Sequence, residues 1–264
     1  ENDKYKSVSV IQEAPTMPVG SKELRPHRMA VGLYDLVGSN IALRKSVELD
    51  VAGAKTVVSE LAGEKVADLL LVNDRDLSYG KVRFDERSIS TLKAHLGKID
   101  DSLTRALCWS AAWDMLRDAE ISATDFIDIA LAGLAGEDDI ATVTIIANQL
   151  ITAVELYSSP TKRDSARLKV GNGYEAMLRS AKAGSDHQLQ FARNFTSFAS
   201  SAEHNDLIKE LLDGKLSGLK VDADLRWTFV IALAERGLMD KPALSAELLK
   251  DNTLTGQLSH ATAL

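Results

Sequence analysis

Cysteine is almost missing from this chain of 264 residues: Cys108 stands alone. One thiol cannot make a disulfide framework within the chain, so a reducing compartment, the cytoplasm, is expected. Cys108 lies between Leu107 and Trp109 and reads as a small buried hydrophobe rather than a thiolate nucleophile. Aromatic residues are scarce at 5%, while Ala and Leu abound, a bias that favours helix over sheet. There is no HExxH. The five histidines, His27, His95, His187, His204 and His260, are followed by Arg, Leu, Gln, Asn and Ala. No two stand four apart, so no helix face offers the paired imidazoles of a zinc site. GxSxG elbows and phosphate-cradling loops are absent too. No apolar run approaches the roughly 20 residues of a membrane span. The N-terminus lacks the basic and apolar regions of a signal peptide. Positive charge is not in excess: the net charge is −7. A nucleic-acid partner is therefore not expected, because phosphate neutralisation dominates such binding.

What is present supports a folded core. Apolar residues make up 45% of the chain, enough to exclude global disorder. The acid excess is uneven. Residues 1–85 hold 12 basic and 13 acidic side chains, and residues 86–264 hold 19 and 25. The acidic second part reads first as a soluble surface.

Hydrophobic periodicity also changes near Asp85. Before it, apolar residues alternate with period two, over Lys6–Ile11, Arg28–Tyr34, Ile41–Val51 and Gly80–Phe84, and Leu69–Val72 is continuously apolar. Turn residues separate these runs: Pro15, Pro18 and Gly20, then Gly38–Asn40, then Ala52–Gly53. About six short strands at this spacing predict a small antiparallel β-sandwich over 1–86.

After Asp85 the period approaches 3.6. Ile99, Leu103, Ala106, Leu107, Trp113 and Leu116 are expected on one helix flank. Ser122, with Asp125 three residues on, begins the next helix, and Gly136 ends it. Helices are predicted over Ile140–Leu156, Thr161–Ala183, Gln188–Phe198, Asn205–Leu212, Asp224–Glu235 and Pro242–Leu249. Pro160 and Pro242 suit first turns, and Gly184, Gly214 and Gly237 suit helix ends. Helices of this length with short links bury their faces as stacked pairs. The expected fold class is therefore multidomain: a β-sandwich, then an α-helical HEAT/ARM-like superhelical solenoid over 87–264. The chain starts at Glu1 and ends at ATAL, still helix-like and uncapped. It is therefore expected to be a truncated stretch of a longer protein.

Few clusters invite chemistry. Asp100–Asp101 and Asp138–Asp139 fall where helices start, and there the helix dipole accounts for paired acids. Gly171-Asn172-Gly173 reads as a bend between helices. Trp109 and Trp113, four apart, share a helix face and read as core packing between helix pairs, with a peptide-facing platform as the alternative. Arg226, beside Trp227 just inside a helix, reads as half of a salt bridge. It is also the one candidate substrate contact, because its forked donors suit a carboxylate.

Several segments resemble the aminopeptidase N group of the M1 zinc metallopeptidases, in its actinobacterial form. In order they are PHRMAVGLYDL (26–36), DLLLVNDRDLSYGKVRFDERS (68–88), DDSLTRALCWSAAWDMLRDAEIS (100–122), VDADLRWTFVIAL from Val221 and ELLKDNTLTGQLSHATA from Glu247. Tyr79, Val82, Phe84 and Asp85 follow the wider family's Tyr-x-x-Val-x-Tyr/Phe-Asp pattern. The resemblance implies the β-sandwich and part of the helical domain of such an enzyme. It implies peptide substrates, zinc in the parent protein, and a helical bowl that encloses the active-site cavity and limits access to it. The family's GAMEN signature is absent as well, so no catalytic, cofactor-binding or metal-binding residue carries over, and inactivity alone is expected. The competing expectation is a stand-alone α-solenoid scaffold joined to a β-sandwich.

Overall fold

The computed structural model describes residues 3–14 and 22–264, so the expected turn at Pro15, Pro18 and Gly20 lies outside the described residues. The chain forms two compact units, Glu1–Gly136 and Glu137–Leu264.

Among its described residues the first unit contains five strands: β1 (Ser9–Ile11), β2 (His27–Val37), β3 (Asn40–Val51), β4 (Lys55–Val57) and β5 (Leu69–Asp74). They make two antiparallel sheets, β3-β2-β5 and β1-β4. The β2–β3 hairpin closes through Gly38, whose φ of +63° is a conformation glycine adopts without strain. Val10, Val31, Leu33, Val47, Val51, Val58, Leu61 and Ala67 gather residues of both sheets into one apolar cluster. Val31 and Leu33 alternate with Gly32 and Tyr34, which face the other way. The centre of β2 is therefore buried on both faces.

Three helices complete this unit: α1 (Glu86–His95), α2 (Ser102–Arg117) and α3 (Ala123–Leu134). Gly133 of α3 leaves the room in which the Trp109 ring lies, and a Cβ there would collide with it. Trp113 packs on Phe126 at 5.3 Å between centroids, so both tryptophans of α2 pack within the fold.

Three expectations are corrected. Gly80–Phe84 is not a strand. Its residues find partners on α2 and its C-terminal cap instead: Lys81 and Arg83 bind Asp118, and the Phe84 N–H donates to Met115 Sδ at 3.4 Å. The short strand β4 was not singled out by alternation. In α2 the buried residues are Thr104, Arg105, Cys108, Trp109, Ala111, Ala112, Met115 and Leu116, while Leu103 and Ala106 are exposed. Asp101 caps the helix by accepting the Thr104 N–H at 2.7 Å. Ile99 thus stands outside the helix, and the phase runs from Thr104 rather than Leu103.

The second unit is helical: α4 (Ile140–Thr152), α5 (Pro160–Ser180), α6 (Asp186–Phe198), α7 (Ala202–Leu212), α8 (Ala223–Glu235), α9 (Lys241–Lys250) and α10 (Leu254–Ala263). α4 continues as a π-helical turn over Ala153–Tyr157. Together they form the 18-residue helix Ile140–Tyr157, with mean hydropathy 1.4. By length and composition that is enough to cross a membrane, against the expectation that no run comes close; a third of it is buried. α5 packs on α6, α7 on α8, and α10 on α8 and α9. Gly171-Asn172-Gly173 is no bend: it lies inside the continuous helix α5.

Capping explains where these helices begin. Asp85, Asp101, Ser122, Asp139, Ser185, Ser201, Asp222, Asp240 and Thr253 each accept a backbone N–H from the first turn. α5 has no side-chain cap and starts instead with Pro160, whose missing N–H costs nothing there.

Candidate functional site

Arg226 projects from the first turn of α8, which Asp222 caps at 2.9 Å. Its fork closes on Glu247 of α9: Nε donates to Oε2 at 2.6 Å and Nη2 to Oε1 at 2.8 Å, while Nη1 donates to Leu212 O at 3.2 Å. Lys250 Nζ reaches the same Oε1 at 2.8 Å. The Arg226 hydrogen bonds, joined by Lys250, hold the Glu247 carboxyl below the usual carboxylate range despite its burial. Next to it, Trp227 Nε1 donates to Asp251 Oδ2 at 2.9 Å. The Arg226–Trp227 pair thus staples α8 to α9 and to the segment that follows α9.

In the first unit, Asp74 ends β5 almost fully buried. Tyr34 Oη donates to its Oδ1 at 2.6 Å, and Ser46 Oγ to its Oδ2 at 3.1 Å. Tyr34 Oη also lies 3.2 Å from Thr104 Oγ1. Burial, and then the hydrogen bond to Asp74, push the Tyr34 hydroxyl up. Around Asp74 the backbone is left-handed at Asn73 (φ 60°), Arg75 (φ 68°) and Asp76 (φ 54°). That run costs strain, chiefly at Arg75. A cleft of about 420 Å³ opens here, lined by Tyr34, Leu43, Asp74, Arg75, Asp100 and Thr104 among others. In the second unit, Arg167, Ser200, Asn205, Glu235 and Arg236 line a cleft of about 370 Å³ with Ser197 and Ala199.

The five histidines serve separate structural contacts or stand apart. His27 Nδ1 meets Ser78 Oγ at 2.6 Å, His187 Nε2 meets Glu137 O at 2.9 Å, and His260 lies edge-on to Trp227. Among the described residues, no three His, Cys, Asp or Glu side chains stand where they could hold a metal ion. The described residues thus offer no assembled donor set for the zinc that the resemblance implies for a parent enzyme. Cys108 is completely buried, and burial pushes its thiol up, away from the thiolate a nucleophile needs. Asp100 and Asp101 precede α2, and Asp138 and Asp139 precede α4. Asp101 and Asp139 act as caps whose carboxyls the first-turn hydroxyl and N–H groups lower.

Asp74, Tyr34, His204 and Arg236 were not picked out by the sequence. An acid inside an apolar strand was the available signal for Asp74; the other three carry none that spacing reveals.

This architecture, small antiparallel sheets followed by capped helices, has known relatives. A family profile described as the ERAP1-like C-terminal domain matches residues 69–264, and the chain belongs to that family. It is also similar to Aminopeptidase N of Streptomyces lividans, 44% identical over 263 residues, which covers 97% of this chain and 31% of the relative. The chain thus spans about a third of the length of that curated relative.

Proposed function

We propose that this chain is the non-catalytic C-terminal portion of a zinc-dependent M1 aminopeptidase, a cytoplasmic hydrolase that removes N-terminal residues from peptides. The observation that carries this reading is the coverage: nearly all of the chain aligns with under a third of Aminopeptidase N. In this reading the zinc and the glutamate base lie elsewhere in the parent. The helical part, from about residue 87, stacks as a superhelical solenoid that encloses the active-site cavity and restricts which chains enter. The β part, ending near residue 86, is a small sandwich acting as spacer. The apolar cluster shared by its two sheets supports that description. Enclosure has a physical use, since excluding water strengthens the fields around a charged site. Arg226 would meet a substrate carboxylate only by giving up Glu247, so its intrachain pair argues for a role in holding the wall.

The test compares this stretch with the full reading frame that contains it, both assayed against aminoacyl anilides. The longer protein is expected to release the amine, to stop with a chelator and to recover with zinc, while the stretch alone stays silent. Turnover by the stretch at the longer protein's rate, or none by the longer protein, overturns the proposal.

A further inference from the structure

Glycine in a helix interior costs about 1 kcal/mol relative to alanine, so Gly171 and Gly173 in mid-α5 call for a reason. At Gly171 the reason is His204. A Cβ there would stand 2.6 Å from His204 Cε1 and 2.9 Å from Phe198 O. The bare backbone lets the imidazole of α7 lie directly on α5, where it is 1% exposed.

The two ring nitrogens are held differently. Nε2 is 2.8 Å from Asn172 Oδ1. Nδ1 accepts the Ser200 N–H at 3.2 Å. A backbone N–H can only donate, so Nδ1 is unprotonated and the ring is the neutral Nε2–H tautomer. Phe195 of α6 packs edge-on at 5.1 Å. The charged groups facing the ring are Glu175 of α5, with Oε2 3.8 Å from Nε2, Glu203 of α7 and Arg236 at the C-terminal cap of α8. His204 also sits in the first turn of α7, whose Ser201 cap accepts its N–H, at the positive end of the helix dipole. Burial opposes a second proton most, Arg236 adds to it, and the two glutamates work against them. The imidazole is held below its ordinary value.

We propose that His204 is an acid-released latch, which clips the turn between α6 and α7 onto α5 while neutral and lets go when Nδ1 takes a proton. Protonation turns the acceptor of the Ser200 N–H into a second donor facing it, so the bond is lost. The neighbouring Ala199 O is held by Arg236, through Nε at 3.2 Å and Nη2 at 2.8 Å. Ser197, Ala199, Ser200 and Asn205 form one wall of the cleft that Arg236 lines. Opening the latch therefore loosens that wall together with the start of α7. In the open state the ring titrates near its ordinary value of about 6.5, and in the closed state lower. Opening is therefore favoured as pH falls below about 6.5, by at most about tenfold per pH unit, until the closed-state value is passed.

Two measurements decide it, both on the whole chain between pH 7.5 and 5.5, above the range where carboxylates titrate. Nitrogen chemical shifts at pH 7.5 should give His204 a proton on Nε2 and none on Nδ1; an Nδ1–H or doubly protonated ring overturns the proposal. Hydrogen-exchange protection over residues 199–208, corrected for intrinsic rate, should fall about fivefold or more across this range relative to α8. In His204→Asn, whose oxygen can accept the Ser200 N–H but not titrate, the fall should vanish. Equal protection at both ends of the range in the wild type, or an undiminished fall in the variant, overturns it. The tautomer decides the matter should the variant not fold.

Discussion

At the residue scale, the side chain that invited a functional reading carries structure. Arg226 spends three donors inside the fold, and Glu247 keeps only 10% of its side chain exposed. Arg226→Met takes two hydrogen bonds from the nearly buried Glu247 and leaves it the half-exposed Lys250 as its cation, so the change is expected to destabilise by about 2 kcal/mol, discounted for the partial exposure of the arginine. The double variant Arg226→Met/Glu247→Leu should regain much of that loss, because the nearly buried carboxylate goes with the arginine and the charge left behind, Lys250, is exposed to water. The pH dependence has a definite sign. The native Glu247 carboxyl is held below its unfolded value, so the pair's contribution is fully present above that unfolded value, about 4.3. It is lost as pH falls through the native one. Urea midpoints of wild type and Glu247→Gln should therefore differ most near pH 7 and converge toward pH 3. A constant gap contradicts the assignment.

At the element scale, helix starts are set by short polar side chains. Asp222→Ala removes the acceptor for the Leu225 N–H and should cost about 1 kcal/mol, measured as a lower midpoint with an unchanged denaturant slope. These caps also explain what could be read from the sequence. Ser122 with Asp125, Pro160 and Pro242 near helix starts, and glycines after helix ends act within four residues, so pattern alone finds them. Gly184, Gly214 and Gly237 all have φ near +70° as expected of helix stops. Misreadings came where distant partners decide. Gly80–Phe84 alternates like a strand but spends its alternation on the end of α2. Gly171 looks like a break until His204, 33 positions later in the chain, is seen to fill its space. The phase of α2 was missed because Asp101 moves the start of the helix past Ile99. No local signal ties Arg226 to Glu247 or Tyr34 to Asp74, since those pairs are 21 and 40 residues apart.

At the scale of the whole molecule, the lack of an assembled donor set among the described residues has a thermodynamic consequence. A metal that binds the folded form stabilises it by mass action. Zinc at tenfold molar excess should leave the thermal midpoint of this chain within about 1 °C of the chelated sample, since the described residues assemble no site to be linked. A rise of several degrees would reveal a site that the fold does not display. One feature of the helical unit reaches further. The π-helical turn Ala153–Tyr157 holds one residue more than an α-helix would need over the same rise. It is in effect an inserted codon carried within a helix. Losing that codon would restore a regular ladder and turn everything after it by about 100° about the axis of α4. Val170, Tyr174 and Met177 of α5 would then lose the register on which their burial depends. The extra residue thus sets the reading frame of the helices beyond it, and a single in-frame deletion there should be tolerated far less well than one in the Gly38–Asn40 turn.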